Sequence, residues 1–159
     1  MQLSSTAFLP NRPIPIDYSG DGRDLSPELS WINVPDGTQE FALICDDPDA
    51  PTPQPWVHWV AYKIPADWRE LPEAIGNHSL ENLPDGLLYG LNSWEDGSNL
   101  GYRGPLPPRG HGVHHYYFRL YALDRPLLLR PAATKQELLN AMAGHILEDS
   151  ELIGTYQRT

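Results

Sequence analysis

Three stretches of the chain carry the patterning of β-strands bounded by turn-forming residues. Residues 40–46 (EFALICD) put Phe41, Leu43 and Cys45 on one face and Ala42 and Ile44 on the other. Residues 56–64 (WVHWVAYKI) are apolar or aromatic at nearly every position. Such a run needs cover on both sides, which predicts a central strand with His58 on the face of Trp56, Val60 and Tyr62. Residues 114–123 alternate more cleanly, and His114, Tyr116, Phe118, Leu120 and Ala122 form the expected core face. Shorter strands are expected within residues 3–8, 28–31 and 86–92. One helix is signalled by Thr134 and Glu137, a capping box that follows Pro131. Leu138, Leu139, Met142 and Ile146 then share one face at helical spacing, suited to packing on the sheet edge or, alternatively, to a dimer contact. These elements predict a mainly β protein: a sandwich of two antiparallel sheets with a few peripheral helices, including a C-terminal helix. Residues 1–159 are expected to form a single domain.

Composition sharpens this picture. Proline and glycine make up 30 of the 159 residues, about 19% against a usual figure near 12%. The excess is proline, which argues against a mostly helical protein and for strands joined by fixed turns. The formal net charge is −10, from 21 acidic and 11 basic residues. Such a surface repels nucleic acid and anionic bilayers at long range, leaving a local buried anion pocket as the exception. The lone Cys45 excludes an intramolecular disulfide framework and a multi-cysteine zinc site, and its apolar neighbours predict a buried, inert thiol. The first twelve residues lack the basic and apolar regions of a signal peptide, and no apolar run is long enough to span a bilayer, so a cytoplasmic location is expected.

Three segments call for a chemical explanation: Asp46-Asp47-Pro48-Asp49-Ala50-Pro51, His58 inside an apolar strand, and the Gly/Pro-rich stretch from Gly101 to Tyr116. The two prolines of the first segment fix φ on either side of Asp49 and hold carboxylates on a stiff backbone. Asp47 shares parity with Phe41, Leu43 and Cys45 and therefore points inward, where a carboxylate must find a partner such as His58 or His114. A core histidine bonded to a carbonyl is the plainer reading of His58. The prolines and glycines of the third segment describe a rigid rim with backbone N–H groups available to a ligand.

Read together, the DPDAP string at 47–51, Trp56-Val57-His58-Trp59, and Gly101-Tyr102-Arg103-Gly104-Pro105-Leu106-Pro107-Pro108-Arg109-Gly110 leading to His114-His115-Tyr116 resemble the two signature regions of the phosphatidylethanolamine-binding protein family. That family includes the Raf kinase inhibitor proteins, the plant flowering regulators and prokaryotic relatives, and this chain looks like the prokaryotic branch. Ile14-Pro15, Tyr18, Gly22, residues 26–31 and 34–38, and the helix expected around 134–156 extend the resemblance over nearly the whole chain. It implies a β-sandwich whose small terminal pocket binds phosphate-type anions or phospholipid headgroups. Carried across residue by residue, that pocket comprises Asp47, Trp56, His58, Gly104, Pro107, Pro108, His114 and Tyr116, with Asp49 holding the turn. Leu106 replaces a small residue of many relatives and narrows the expected mouth, while His111 and His115 add imidazoles at the rim. The resemblance also implies a sharp turn with a cis peptide at Gln54-Pro55 and a homodimer; a kinase or protease partner is its weakest transfer.

Chemically, an Asp beside two histidines is expected to favour the imidazolium forms and offer charge-assisted donors to phosphate oxygens. Asp47 then either orients and charges a histidine or takes the ammonium of an ethanolamine-like group. No cofactor is expected. A hydrolase would need water as its nucleophile, because no nucleophile motif is present, and it stands as the alternative to a binding protein. Two histidines and an aspartate also match a metal triad in ligand type, but the glycines at 110 and 112 remove the helical spacing, and no metal is expected.

Overall fold

Phe41, Leu43 and Cys45 alternate with Ala42 and Ile44 along β4 (Glu40–Asp47), and all eight residues of this strand are buried. The computed structural model describes residues 1–77, 83–97 and 99–159. In it β4 lies inside a six-stranded sheet, flanked by β5 (Trp56–Pro65) and β8 (His114–Leu123), both antiparallel to it. Outside β8 comes β9 (Ile146–Tyr156), then the two-residue β2 (Arg12–Pro13); outside β5 comes β7 (Leu88–Tyr89). A second sheet is small, formed by β1 (Gln2–Ser4), β3 (Leu29–Ile32) and β6 (Glu70–Leu71) in the order β1-β3-β6.

The two faces of β4 enter two different cores. Phe41, Leu43 and Cys45 pack with Trp59, Phe118 and Leu120 of the large sheet against Leu3, Leu29, Trp31 and Leu71 of the small one. The Trp31 and Phe41 rings meet edge-on at 5.2 Å. On the opposite face, Ala42 and Ile44 join Val60 and Tyr62 beneath Leu138 and Met142 of α1 (Lys135–Met142) and Leu123, Leu127 and Ala133. This double cover explains why β4 and β5 are so uniformly apolar.

The expected sandwich of two sheets is present, with three corrections. The helix starts where the capping box places it: Thr134 accepts from the Glu137 N–H, and the Glu137 carboxylate accepts from the Thr134 N–H. It does not continue through Ile146 to the C-terminus. It ends at Met142, Gly144 adopts φ +82°, and the chain turns into the eleven-residue β9 along the whole of β8. A glycine in left-handed backbone just past the last turn is a helix stop signal, which Ile146 in helical phase obscured. The sheets are also not wholly antiparallel, because β2 runs parallel to β9 with Arg12 opposite Gly154. Finally, the peptide before Pro55, expected to be cis, is trans.

The pairing of β4 with β5 slips twice. Cys45 faces Trp59 but Asp46 faces Val57, so His58 is an extra residue on β5; a second slip lies between Phe41 and Leu43, beside Lys63 at φ +57°. Such bulges re-aim side chains. His58 consequently leaves the face of Val60 and Tyr62, where simple alternation put it, and turns to the same side as Trp59 and Tyr116.

Candidate functional site

The pocket is assembled where β4 ends and β5 and β8 begin. Asp47 is the last residue of β4, Trp56 the first of β5 and His114 the first of β8. After β4 the chain makes a tight turn in which the Asp49 N–H donates to Asp47 Oδ1 at 2.8 Å, a side chain standing in for a backbone acceptor. Asp49 itself faces away from the cavity. Its Oδ2 accepts from the His115 N–H at 2.8 Å and pairs with His115 Nδ1 at 2.7 Å, tying the turn to β8. Burial alone would raise the Asp49 carboxyl, but the hydrogen bonds and charge of His115 hold it below the ordinary range.

The cavity has a volume of about 190 Å³. Of the nine residues expected at the site, seven line it: Asp47, Trp56, His58, Pro107, Pro108, His114 and Tyr116. Asp49 and Gly104 do not. Gly104 supports the site from behind: its N–H donates to Asp24 Oδ1 at 2.7 Å, and a Cβ at this position would lie 2.2 Å from the Tyr18 carbonyl oxygen. The Gly110 N–H is likewise engaged, by the Arg158 carbonyl. These two amides, expected to be available to a ligand, are therefore already used within the protein.

Two hydrogen-bond systems set the chemistry of the buried floor. In the first, His114 Nδ1 pairs with Asp47 Oδ2 at 2.7 Å, and His114 Nε2 lies 2.7 Å from Nδ1 of His111. In the second, His58 Nδ1–H donates to the Arg103 carbonyl at 2.7 Å, which fixes the tautomer and leaves Nε2 as a lone pair. That Nε2 is buried and has no protein partner; the Tyr116 hydroxyl, also buried, makes no well-aligned hydrogen bond and has the Asp47 carboxylate as its nearest polar group. Burial lowers His58 to about 4, outweighing the Arg103 carbonyl and the Asp47 charge. Here the structure corrects the expectation of an imidazolium at this position: His58 is neutral. The plainer reading of a carbonyl-bonded imidazole and the reading of a pocket residue both hold for this one side chain. Burial, followed by the nearby Asp47, also raises the Tyr116 phenol well above its ordinary value, so it stays protonated.

Four contributors were not among the expected site residues. Ala50, Pro51 and Thr52 follow the turn and line the cavity, as does Trp94 beside Trp56 and His58. Trp94 meets Trp56 at 5.5 Å and His58 at 5.0 Å, both edge-on, while the Arg103 guanidinium stacks 4.9 Å from its ring centre. A single tryptophan within the polar run 92–97 was the available signal. Leu106, expected to narrow the mouth, does line the cavity. Among the described residues no three His, Cys, Asp or Glu side chains are arranged to hold a metal ion. Cys45 is buried, and burial raises its thiol far above the ordinary value. His145, past the end of α1, pairs with Asp124. Among the described residues no helix is long and apolar enough to cross a membrane.

Comparison with known proteins fits this geometry. A family model described as phosphatidylethanolamine-binding protein matches residues 4–157. A UPF0098 protein of Methanothermobacter thermautotrophicus is 49% identical over 158 residues, 99% of each chain. Another, from Pyrococcus horikoshii, is 42% identical over 97% of this chain and 75% of its own. Among solved structures, a phosphatidylethanolamine-binding protein homologue from Chlamydia trachomatis superposes with a TM-score of 0.86 at 38% identity, covering 99% of this chain and 97% of that one. Escherichia coli YbcL gives a TM-score of 0.90 at 29% identity over 99% and 98% of the two chains. The chain is a member of the phosphatidylethanolamine-binding protein family, of the kind found in bacteria and archaea.

Proposed function

We propose that this protein is a binding module for phosphate-type oxyanions, free or carried on a small molecule or lipid headgroup. The observation that carries the reading is a small cavity whose buried floor brings together His58 Nε2, an acceptor without a protein partner, and the Tyr116 hydroxyl, which has only the nearby Asp47 carboxylate as a partner. Buried polar groups without partners are costly, and a ligand that satisfies them recovers that cost. A volume near 190 Å³ suits a headgroup-sized moiety, with the rest of any larger ligand outside. The proline rim and the Asp49–His115 tie keep the walls preorganised, which reduces the entropy lost on binding. The test is a titration of the full chain with O-phosphoethanolamine followed by NMR. Resonances of His58 and Tyr116 should move; unmoved resonances would overturn the reading.

One observation favours a second reading. Asp47 and His114 stand as an orienting carboxylate and its histidine, the arrangement of a general base. His114 Nε2, the atom that would activate water, is instead engaged by His111, and among the described residues lining the cavity there is no serine or cysteine. Binding is therefore preferred over hydrolysis. Turnover of a phosphomonoester that disappears in His114→Ala would reverse that preference.

A further inference from the structure

Both ring nitrogens of His114 are engaged. Nδ1 pairs with the Asp47 carboxylate at 2.7 Å, and Nε2 lies 2.7 Å from His111 Nδ1, the two rings tilted by 60° with their centres 4.9 Å apart. A single proton lies between the two imidazoles and holds them to each other. His114 is buried and His111 is exposed, so the outer ring caps the inner one.

An oxyanion in the cavity needs that nitrogen. Among the described residues lining the cavity there is no lysine or arginine, which leaves His58 and His114 as the side chains there able to carry positive charge. His58 is neutral, with its Nδ1–H given to the Arg103 carbonyl and burial holding the ring at about 4. The charge-assisted donor therefore falls to His114, and with Nδ1 held by Asp47 only Nε2 can supply it.

The chain around His111 is suited to letting go. The rim is fixed at Gly110, whose N–H donates to the Arg158 carbonyl at 2.9 Å, and β8 begins at His114. Between these anchors, Gly110 and Gly112 stand at φ +73° and +89°, with open space where a Cβ would lie. Such glycines allow large backbone changes at low steric cost. The His111 N–H reaches the Pro108 carbonyl through a long bond of 3.2 Å.

Resting on the oxyanion reading above, we infer that His111 is a specificity-determining latch: it occupies the ligand's place on His114 in the free protein, and an oxyanion takes Nε2 by displacing it outward. A ligand must then offer His114 a better partner than the imidazole already there. Breaking that hydrogen bond lowers affinity by about three- to tenfold.

The experiment titrates the full chain, His111→Ala and His111→Asn with inorganic phosphate and O-phosphoethanolamine, and follows the coupling between the two ring nitrogens by NMR. His111→Ala removes the occupant and should bind both ligands about three- to tenfold more tightly. His111→Asn sets an amide where Nδ1 stood and should stay within about twofold of the parent. In the parent, the coupling between the rings should vanish at saturating phosphate. Equal or weaker binding by His111→Ala, the same tightening in His111→Asn, or a coupling that persists at saturation would overturn the inference and leave the oxyanion reading standing. A gain confined to O-phosphoethanolamine would also overturn it, because the latch faces the oxyanion that both ligands share. Binding of neither ligand by any of the three proteins would remove the oxyanion reading, and the inference with it.

Discussion

His58 and Arg103 exchange two hydrogen bonds: the imidazole Nδ1–H reaches the Arg103 carbonyl at 2.7 Å, and the Arg103 N–H reaches the His58 carbonyl at 3.0 Å. The ring is thereby locked in one tautomer by the loop that forms the rim of the cavity. Rim and floor are a single construction.

That lock sets a pH dependence of stability. His58 titrates at 6.5 in its ordinary state and at about 4 when folded, so the unfolded chain binds the extra proton between these values. Stability contributed at this site is complete above about pH 6.5 and is lost as pH falls toward 4, to a total of about 3 kcal/mol. Urea unfolding of the protein and of His58→Phe should show a steeper acid-side decline for the former. Equal slopes would contradict the assignment.

Asp47→Ala removes the acceptor of the buried His114 Nδ1–H and of the Asp49 N–H. A loss of about 1–3 kcal/mol is expected, with Asp47→Asn recovering part of it. Denaturant midpoints of the two variants provide the measurement.

Leu138→Ala separates the fold from the site. Leu138 is fully buried in the core on the far face of β4, away from the cavity. Its truncation should cost about 2–5 kcal/mol while leaving phosphate affinity within twofold of the parent. Calorimetry and a ligand titration on the same sample would check both halves.

Gly104→Ala tests the support behind the rim. The added methyl group would collide with the Tyr18 carbonyl and sit 2.8 Å from Asp24 Oδ1. Backbone atoms cannot yield cheaply, so a loss of about 1–3 kcal/mol is expected, with a weakened His58–Arg103 bond. Faster hydrogen exchange at the Arg103 amide is the corresponding observable.

Legibility followed locality. The parity that sent Asp47, His114 and Tyr116 inward held because β4 and β8 pair without a slip from Glu40 to Asp46. Membership of His58 in the pocket was readable from its motif, but its face was not, since a bulge is a mismatch between two strands and leaves no mark in either alone. Its charge was misjudged for a related reason: the carbonyl of Arg103, forty-five positions away, decides the tautomer, and burial decides the ionisation. β9 escaped because Glu148, Asp149, Ser150 and Glu151 interrupt its apolar positions, leaving only Leu152 and Gly154 buried. The Asp24 clamp on Gly104 joins segments distant in the chain, with no local signature in either.

The additional residue in β5 has a consequence for how this site is attached to its scaffold. Val57 already faces the α1 side and Trp59 the inter-sheet side, as direct neighbours in an ordinary strand would. Excising His58 alone would therefore regularise this end of the ladder, leaving the slip beside Lys63, and keep both flanking side chains on their present faces. His58 is thus a one-residue insertion into the strand, and the rest of the site is carried by residues in regular register around it.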